Sequence, residues 1–213
     1  MSRYLDQLDG HLGNIERAAE AEDDPHRSDI LWNYLHHGAF EVGGDWERIF
    51  APAMIVDDPH YEMRTGPEGP IFLDGQDAVR EFYGAMEAEV MMLVDDGEHH
   101  LFVNDEGLAE FGTTVAFVPG RQILDAGVDS WFYDADGIDD PDATYLTRCR
   151  HAMYWPYTDD GRLIGEMVYQ LTPYEVSRPD PAAVPTLEGM ADVVEKYYPE
   201  NVDGASPYAS MEV

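Results

Sequence analysis

Residues 144–172 read TYLTRCRHAMYWPYTDDGRLIGEMVYQLT, and the fold turns on that stretch. It alternates with a period of two. Thr147, Cys149, His151, Met153 and Trp155 fall on one side of an extended chain, and Arg148, Arg150, Ala152 and Tyr154 on the other. The first set is largely apolar, so it faces a core. Asp159-Asp160-Gly161 has turn chemistry, so 144–157 and 162–172 form a hairpin. Symmetrical pairing across that turn places Tyr169 opposite His151. It also places Glu166 and Gln170 outside, beside Arg148 and Arg150, as a surface or inter-subunit charge network.

Upstream, 98–104 and 107–118 alternate likewise around Asp105-Glu106-Gly107 and form another hairpin. Between the hairpins, residues 119–143 form a long acidic loop carrying Trp131, Phe132 and Tyr133. A loop of that length suits a lid. Before residue 98 the period is that of helices. Leu5, Leu8, Leu12, Ile15 and Ala19 mark an amphipathic helix over 3–22, which Asp23-Asp24-Pro25 breaks. Ser28 or Asp29 caps a second helix over Ile30–Glu41, ended by Gly43-Gly44. A short helix follows Asp45. Met54-Ile55-Val56 is a short strand, and Val79, Phe82, Tyr83, Met86 and Val90 mark a helix over 76–92. A last helix spans Thr186–Tyr198.

Helices followed by antiparallel strands make an α+β fold, with helices segregated on one side of a curved sheet. The chain divides into an N-terminal helical extension (1–27), a main domain (28–173), and a C-terminal helix and tail (174–213).

Charge defines the solvent. The 213 residues carry 44 Asp and Glu against 12 Lys and Arg, a net charge of -32, and Lys196 is the single lysine. Such charge repels itself at ordinary ionic strength. Molar salt shortens the Debye length to about 3 Å and screens the repulsion. The acids run from Asp6 to Glu212 rather than in one tail, which points to a protein of an extreme halophile. With 44% hydrophobic and 12% aromatic residues the chain can still fill a core. The charge argues against nucleic acid, since no basic stripe is present to neutralise phosphates. No apolar run reaches membrane-spanning length, and no signal-peptide core is visible, so the expected location is cytoplasmic. One cysteine, Cys149, allows neither an internal disulfide nor a CxxC metal motif, and it reads as a small buried hydrophobe.

His151 stands out, because an imidazole among Met, Cys and Trp needs a partner or a ligand. A core histidine bonded to a nearby tyrosine or carbonyl satisfies the same demand. His36 and His37 point about 100° apart on a helix, and His99 and His100 alternate on a strand, so each pair sends at most one ring inward. No HExxH-like spacing joins these histidines, so no metal is expected. Without a GxGxxG or P-loop pattern, no organic cofactor is implied.

Gly44-Asp45-Trp46-Glu47-Arg48-Ile49-Phe50-Ala51-Pro52, leading into Val56-Asp57-Asp58-Pro59 within this order of elements, resembles the nuclear-transport-factor-2-like superfamily. Its SnoaL-like branch (polyketide cyclases and ketosteroid isomerase-like proteins) looks most similar. Trp155 to Leu163 is similar to the family's final hairpin, and the resemblance spans about residues 28–173. It implies a cone-shaped curved sheet wrapped around N-terminal helices, with an enclosed pocket, and a homodimer or higher homo-oligomer through the outer sheet face. In ketosteroid isomerases an aspartate before a proline shuttles the proton, and Asp58 matches that position. Their first-helix tyrosine donor matches Tyr34 by spacing from Asp58, or His37 by alignment on Gly44. Their second acid falls near Met153 here, a departure that argues against steroid isomerisation.

The expected function is therefore proton transfer, of isomerase, dehydratase or cyclase type, on a compact apolar or aromatic small molecule. Asp58 is the expected base, with Tyr34 or His37, His60 and His151 orienting or donating. Trp46, Tyr61, Met153, Trp155, Tyr169 and Trp131 are the expected ligand-binding residues. The alternative is a non-catalytic ligand-binding or dimerisation module. Asp58 and His151 converging on one cavity would mark the enzyme. A solvent-facing Asp58 beside a satisfied His151 would mark the module.

Overall fold

The structure is a computed structural model, and it describes residues 2–65, 69–86, 91–94, 99–125 and 137–199. Helix α1 spans Arg3–Ala21 and is capped by Ser2, whose hydroxyl accepts from the Tyr4 amide. Its apolar stripe is buried from Tyr4 through Leu8, Leu12 and Ile15 to Ala19. Helix α2 spans Pro25–Gly43 and starts five residues before the expected Ile30. Asp24 accepts from the His26 and Arg27 amides at 3.0 and 3.1 Å, and Pro25 presets the first turn. Asp23-Asp24-Pro25 therefore ends one helix and begins the next. Gly44 closes α2 at φ 83°.

A 3-10 turn at Trp46–Phe50 leads into β1 (Ile55–Arg64) and β2 (Ile71–Asp74). Then come α3 (Gly75–Met86), β3 (Met91–Val94), β4 (His100–Asn104), β5 (Gly107–Pro119) and α4 (Gly120–Asp125). The chain continues as β6 (Thr144–Pro156), β7 (Leu163–Gln170), β8 (Glu175–Ser177) and α5 (Leu187–Val194). The eight described strands form one curved, open sheet in the order β2-β1-β7-β6-β5-β3, with β4 on β5 and β8 on β6. β1 runs parallel to β7, and the other pairs are antiparallel. α1 and α2 pack on each other and share one large core with the sheet. Among the described residues no helix is long and apolar enough to cross a membrane.

Three sequence expectations are corrected. The helix expected over 76–92 is present as α3 over Gly75–Met86, but its expected end is strand, since Met91 pairs with Phe117 and Val94 with Thr114 on β5. The segment 119–143 is not loop throughout. It opens with α4, and its two ends are tied by Gly120 N–H to Ala143 O and Arg121 N–H to Pro141 O, both 2.8 Å. Residues 126–136, with Trp131, lie outside the described residues.

The third correction concerns register. Tyr157 bridges Leu163, symmetrical about Asp160, but farther along Tyr154 pairs with Met167 and His151 with Gln170. One extra residue in β7 shifts the ladder and exchanges its faces. Tyr169 thus lies beside Ala152 rather than His151. Glu166 and Gln170 turn inward instead of joining Arg148 and Arg150 outside: Glu166 is 6% exposed, and Gln170 Nε2 lies 3.6 Å from Cys149 Sγ. The shift lies between Leu163 and Met167; within that span, a Cβ at Gly165 would lie 1.8 Å from the His60 carbonyl oxygen of β1.

A larger irregularity marks β1. Ile55 pairs with Leu163 and His60 with Gly165, so the interval from 55 to 60 on β1 spans only 163 to 165 on β7. Asp57 and Asp58 lie in that excess and are both exposed.

Candidate functional site

A cavity of about 90 Å³ lies between α1, α2 and the sheet. α1 contributes Leu8, His11, Leu12 and Ile15, and α2 contributes Tyr34, Gly38, Glu41 and Val42. Both sets recur at helical spacing, so one face of each helix lines the space. The sheet contributes Glu110 and Thr114 from β5, Met153 and Trp155 from β6, and Glu166 from β7. The cavity is well below the roughly 300 Å³ at which drug-sized sites begin, so it suits a compact group.

Glu110 anchors the polar side. It is 1% exposed, and His151 Nε2 lies 2.8 Å from its Oε1. His99 Nε2 lies 2.9 Å from its Oε2, which also accepts from the Tyr34 hydroxyl. Burial alone would raise this carboxyl. The hydrogen bonds from His151 and His99, backed by the electrostatic attraction of those rings, outweigh burial and hold it well below the usual range. Glu110 is therefore an ionised carboxylate inside the core. His151 is satisfied on its other side by Thr114, whose Oγ1 lies 2.8 Å from Nδ1.

Two further carboxyls behave oppositely. Burial, and behind it the charge of Glu110, raises Glu41 to about 7. Burial, then the charges of Glu41 and Glu110, raises Glu166 well above the ordinary value. Burial also lowers the facing His11 to about 3, with His99 adding to the effect, so that ring is neutral. His11 and His99 meet edge to face at 4.5 Å. The Trp155 indole N–H has no hydrogen-bond partner among the described residues. The cavity thus holds one carboxylate, two carboxyls raised by burial, and a spare donor, amid Leu, Ile, Val and Met side chains.

The expected residues divide. Tyr34, Met153 and Trp155 line the cavity, and His151 lies directly behind it through Glu110 and Thr114. His37 is buried but does not line it: Nε2 lies 2.9 Å from the Tyr83 hydroxyl, and the ring meets Trp155 edge to face at 4.7 Å. Asp58 is exposed on the irregular part of β1, away from the cavity. His60 is half-buried on β1, between β2 and β7, with Nδ1 2.6 Å from Asp74 and its ring stacked on Phe72. Tyr61 is fully buried in the main core. Trp46 stacks on Tyr83 at 6.0 Å. Tyr169 lies on the outer side of β7, beside Ala152.

Glu41, Glu110, Glu166, Thr114 and His11 were not expected. Two of them left a trace in the sequence. His11 interrupts the apolar stripe of α1, and Glu41 continues the Tyr34–Gly38 spacing of α2. Glu166 was hidden by the register shift.

No family model matches the chain, and no curated protein matches it in sequence. Solved structures with a similar fold include a candidate polyketide cyclase from Xanthomonas campestris pv. campestris. It is 14% identical, covers 68% of this chain and 91% of its own, and has a TM-score of 0.47. The epoxide hydrolase/cyclase-like enzyme SalBIII, of pyran ring formation in salinomycin, is 16% identical over 73% and 98% of the chains, with a TM-score of 0.45. A CaMKII hub from S. rosetta is 10% identical over 68% and 95%, with a TM-score of 0.43. These likenesses concern architecture alone.

Proposed function

We propose that the cavity is the site of a small-molecule enzyme of proton-transfer type, in which Glu41 and Glu166 take the part the resemblance assigned to Asp58. The observation that carries this is the trio of glutamates around one apolar cavity: Glu110, bonded by His151, His99 and Tyr34 and so lowered, and Glu41 and Glu166, which burial raises, Glu41 to about 7. Carboxyls driven apart in pKa within one site are suited to acid and base roles. Glu41 titrates near neutrality and can take up or release a proton there. Glu166, kept neutral, can donate to a developing oxyanion, and so can the spare indole N–H of Trp155. The substrate would be compact, with an enolisable or otherwise polarisable oxygen and a small apolar body.

A second reading, the non-catalytic binding module, is favoured by two observations: Asp58 faces solvent, and His151 is satisfied by Glu110 and Thr114. A panel of small enolisable carbonyl compounds, assayed for exchange and isomerisation in molar salt, separates the two. The enzyme predicts turnover that falls roughly 10²- to 10⁴-fold in Glu166→Gln and Glu41→Gln and is unchanged in Asp58→Asn. Binding without turnover of any member would select the module.

The proposed setting is a cytoplasm at molar salt, with the chain as a homodimer through its outer sheet face. Phe102 and Phe111, 59% and 44% exposed, support that contact on so acidic a protein. Light scattering on the eluting protein tests the dimer.

A further inference from the structure

Thr114 stands in a relation to His151 and Glu110 that the proton-transfer scheme does not use. Thr114 lines the cavity, and its hydroxyl lies 2.8 Å from His151 Nδ1. His151 Nε2 lies 2.8 Å from Glu110 Oε1. Glu110 accepts through both oxygens, from His151 on one and from His99 and Tyr34 on the other. An ionised acceptor at Nε2 fixes the ring proton there and leaves Nδ1 as the lone-pair nitrogen. Nδ1 then faces the Thr114 hydroxyl. A hydroxyl, a base, and a carboxylate that orients the base, each within hydrogen-bond distance of the next, form the arrangement that activates an alcohol as a nucleophile. All three side chains are buried: Thr114 is 7% exposed, His151 1% and Glu110 1%.

A purely structural network would need no access from a cavity, yet Thr114 has it. A second, independent feature also points to a ligand. Trp155, 4% exposed, lines the same cavity with an indole N–H that has no partner among the described residues. An acyl group beside Thr114 brings a carbonyl oxygen that could take up that donor.

We propose that Thr114, His151 and Glu110 form a nucleophilic relay that transfers short acyl groups from an ester to water. Thr114 Oγ1 attacks the ester carbonyl carbon while its proton passes to His151 Nδ1, and Glu110 stabilises the imidazolium. The tetrahedral intermediate collapses, the bond to the alcohol oxygen breaks, and Nδ1 returns the proton to the departing alcohol. Water then attacks the acyl-threonine and gives a proton to Nδ1. Thr114 Oγ1 leaves and recovers that proton, and the carboxylic acid is released. Ester and water become acid and alcohol, with no oxidant or further reactant. The cavity of about 90 Å³ limits the acyl group to about the size of acetyl.

This inference shares the cavity, Glu110 and Trp155 with the proposed function and rests on that cavity admitting a small molecule, but its reacting groups, Thr114 and His151, take no part in the Glu41–Glu166 scheme, so the two fail separately. The test is p-nitrophenyl acetate in molar salt. p-Nitrophenol release is followed, and the acetylated peptide of the quenched wild-type chain is mapped by mass spectrometry. The expected result is release above the buffer rate with acetyl on Thr114. Thr114→Ser should keep the release, Thr114→Val should abolish it, and His151→Gln should lower it by roughly 10²-fold or more. Asp58→Asn, outside the cavity, should match wild type. Release no faster than buffer, acetyl on Cys149 or elsewhere with Thr114 unmodified, or full release from a folded Thr114→Val would each overturn the proposal. The wild-type mapping decides even if Thr114→Val does not fold. Acetyl transfer at Thr114 without proton transfer on any carbonyl compound would leave this inference standing and sink the Glu41–Glu166 scheme.

Discussion

Glu110 and His151 lie on neighbouring strands two positions out of step, Glu110 opposite Met153 and His151 opposite Gly112. Their Oε1 and Nε2 atoms are 2.8 Å apart, with each side chain 1% exposed. That diagonal places an ionised carboxylate in the core and decides the character of everything around it.

Glu110→Gln keeps the shape and removes the charge. One amide hydrogen must then face an N–H of His151 or His99, leaving buried donors unpaired. The expected loss is roughly 2–5 kcal/mol, read from denaturant unfolding in molar salt. A change below about 0.5 kcal/mol, typical of a surface site, would contradict the network.

The two raised carboxyls give a pH signature of definite sign. A carboxyl whose folded pKa is raised stabilises the fold fully below its unfolded value, near 4.5, and that contribution is lost as pH climbs through the folded value, about 7 for Glu41. Glutamine copies the protonated form at every pH. Glu41→Gln/Glu166→Gln should therefore match wild type near pH 4.5 and exceed it in melting temperature near pH 8. Comparing variant with wild type removes the opposing effect of His11, His36 and His37. Their burial, the first cause in each, holds them at about 3, 4 and 3, so their contribution is present above pH 6.5 and fades as pH falls. Parallel pH profiles for the two proteins would show that these carboxyls titrate as they do in water.

Gly165 of β7 pairs with His60 of β1. A Cβ there would lie 1.8 Å from the His60 carbonyl oxygen, which is backbone and cannot step aside. Gly165→Ala should cost about 3 kcal/mol or more, or abolish folding, as measured by thermal melts. A melting temperature within about 2 °C of wild type would mean that the two strands can separate freely.

Periodicity carried much of this fold. The α1 stripe, the glycine end of α2, both hairpin turns and the inward side of His151 follow from spacing alone. The site was less legible because two irregularities have no compositional mark. One extra residue in β7 turned Glu166 from the outer face to the inner, although its neighbours read the same either way. The excess in β1 left Asp57 and Asp58 in solvent, although the motif around them matches a catalytic aspartate elsewhere. Glu110 looked like one more acid in an acidic chain. Only the convergence of His99, His151 and Tyr34 distinguishes it, and that is a property of the folded sheet.

With a net charge of -32, the chain should unfold or lose cooperativity when screening is withdrawn. Circular dichroism melts should show a rise in melting temperature from about 0.1 M to about 3 M KCl, concentrations of weak and strong screening. A melting temperature unchanged across that range would refute adaptation to molar salt.

The central claim is that the cavity holds carboxyls that keep their protons near neutrality. Infrared difference spectra of wild type against Glu41→Gln and Glu166→Gln, taken at pH 6 and pH 7 in molar salt, read this directly. The account predicts a protonated-carboxyl C=O band in wild type at both pH values. The Glu166→Gln variant should lack the larger part of it, and the Glu41 share should fade as pH passes through about 7. Wild-type and variant spectra without any protonated-carboxyl band at pH 6 would contradict it, and with it the acid–base role of the pair.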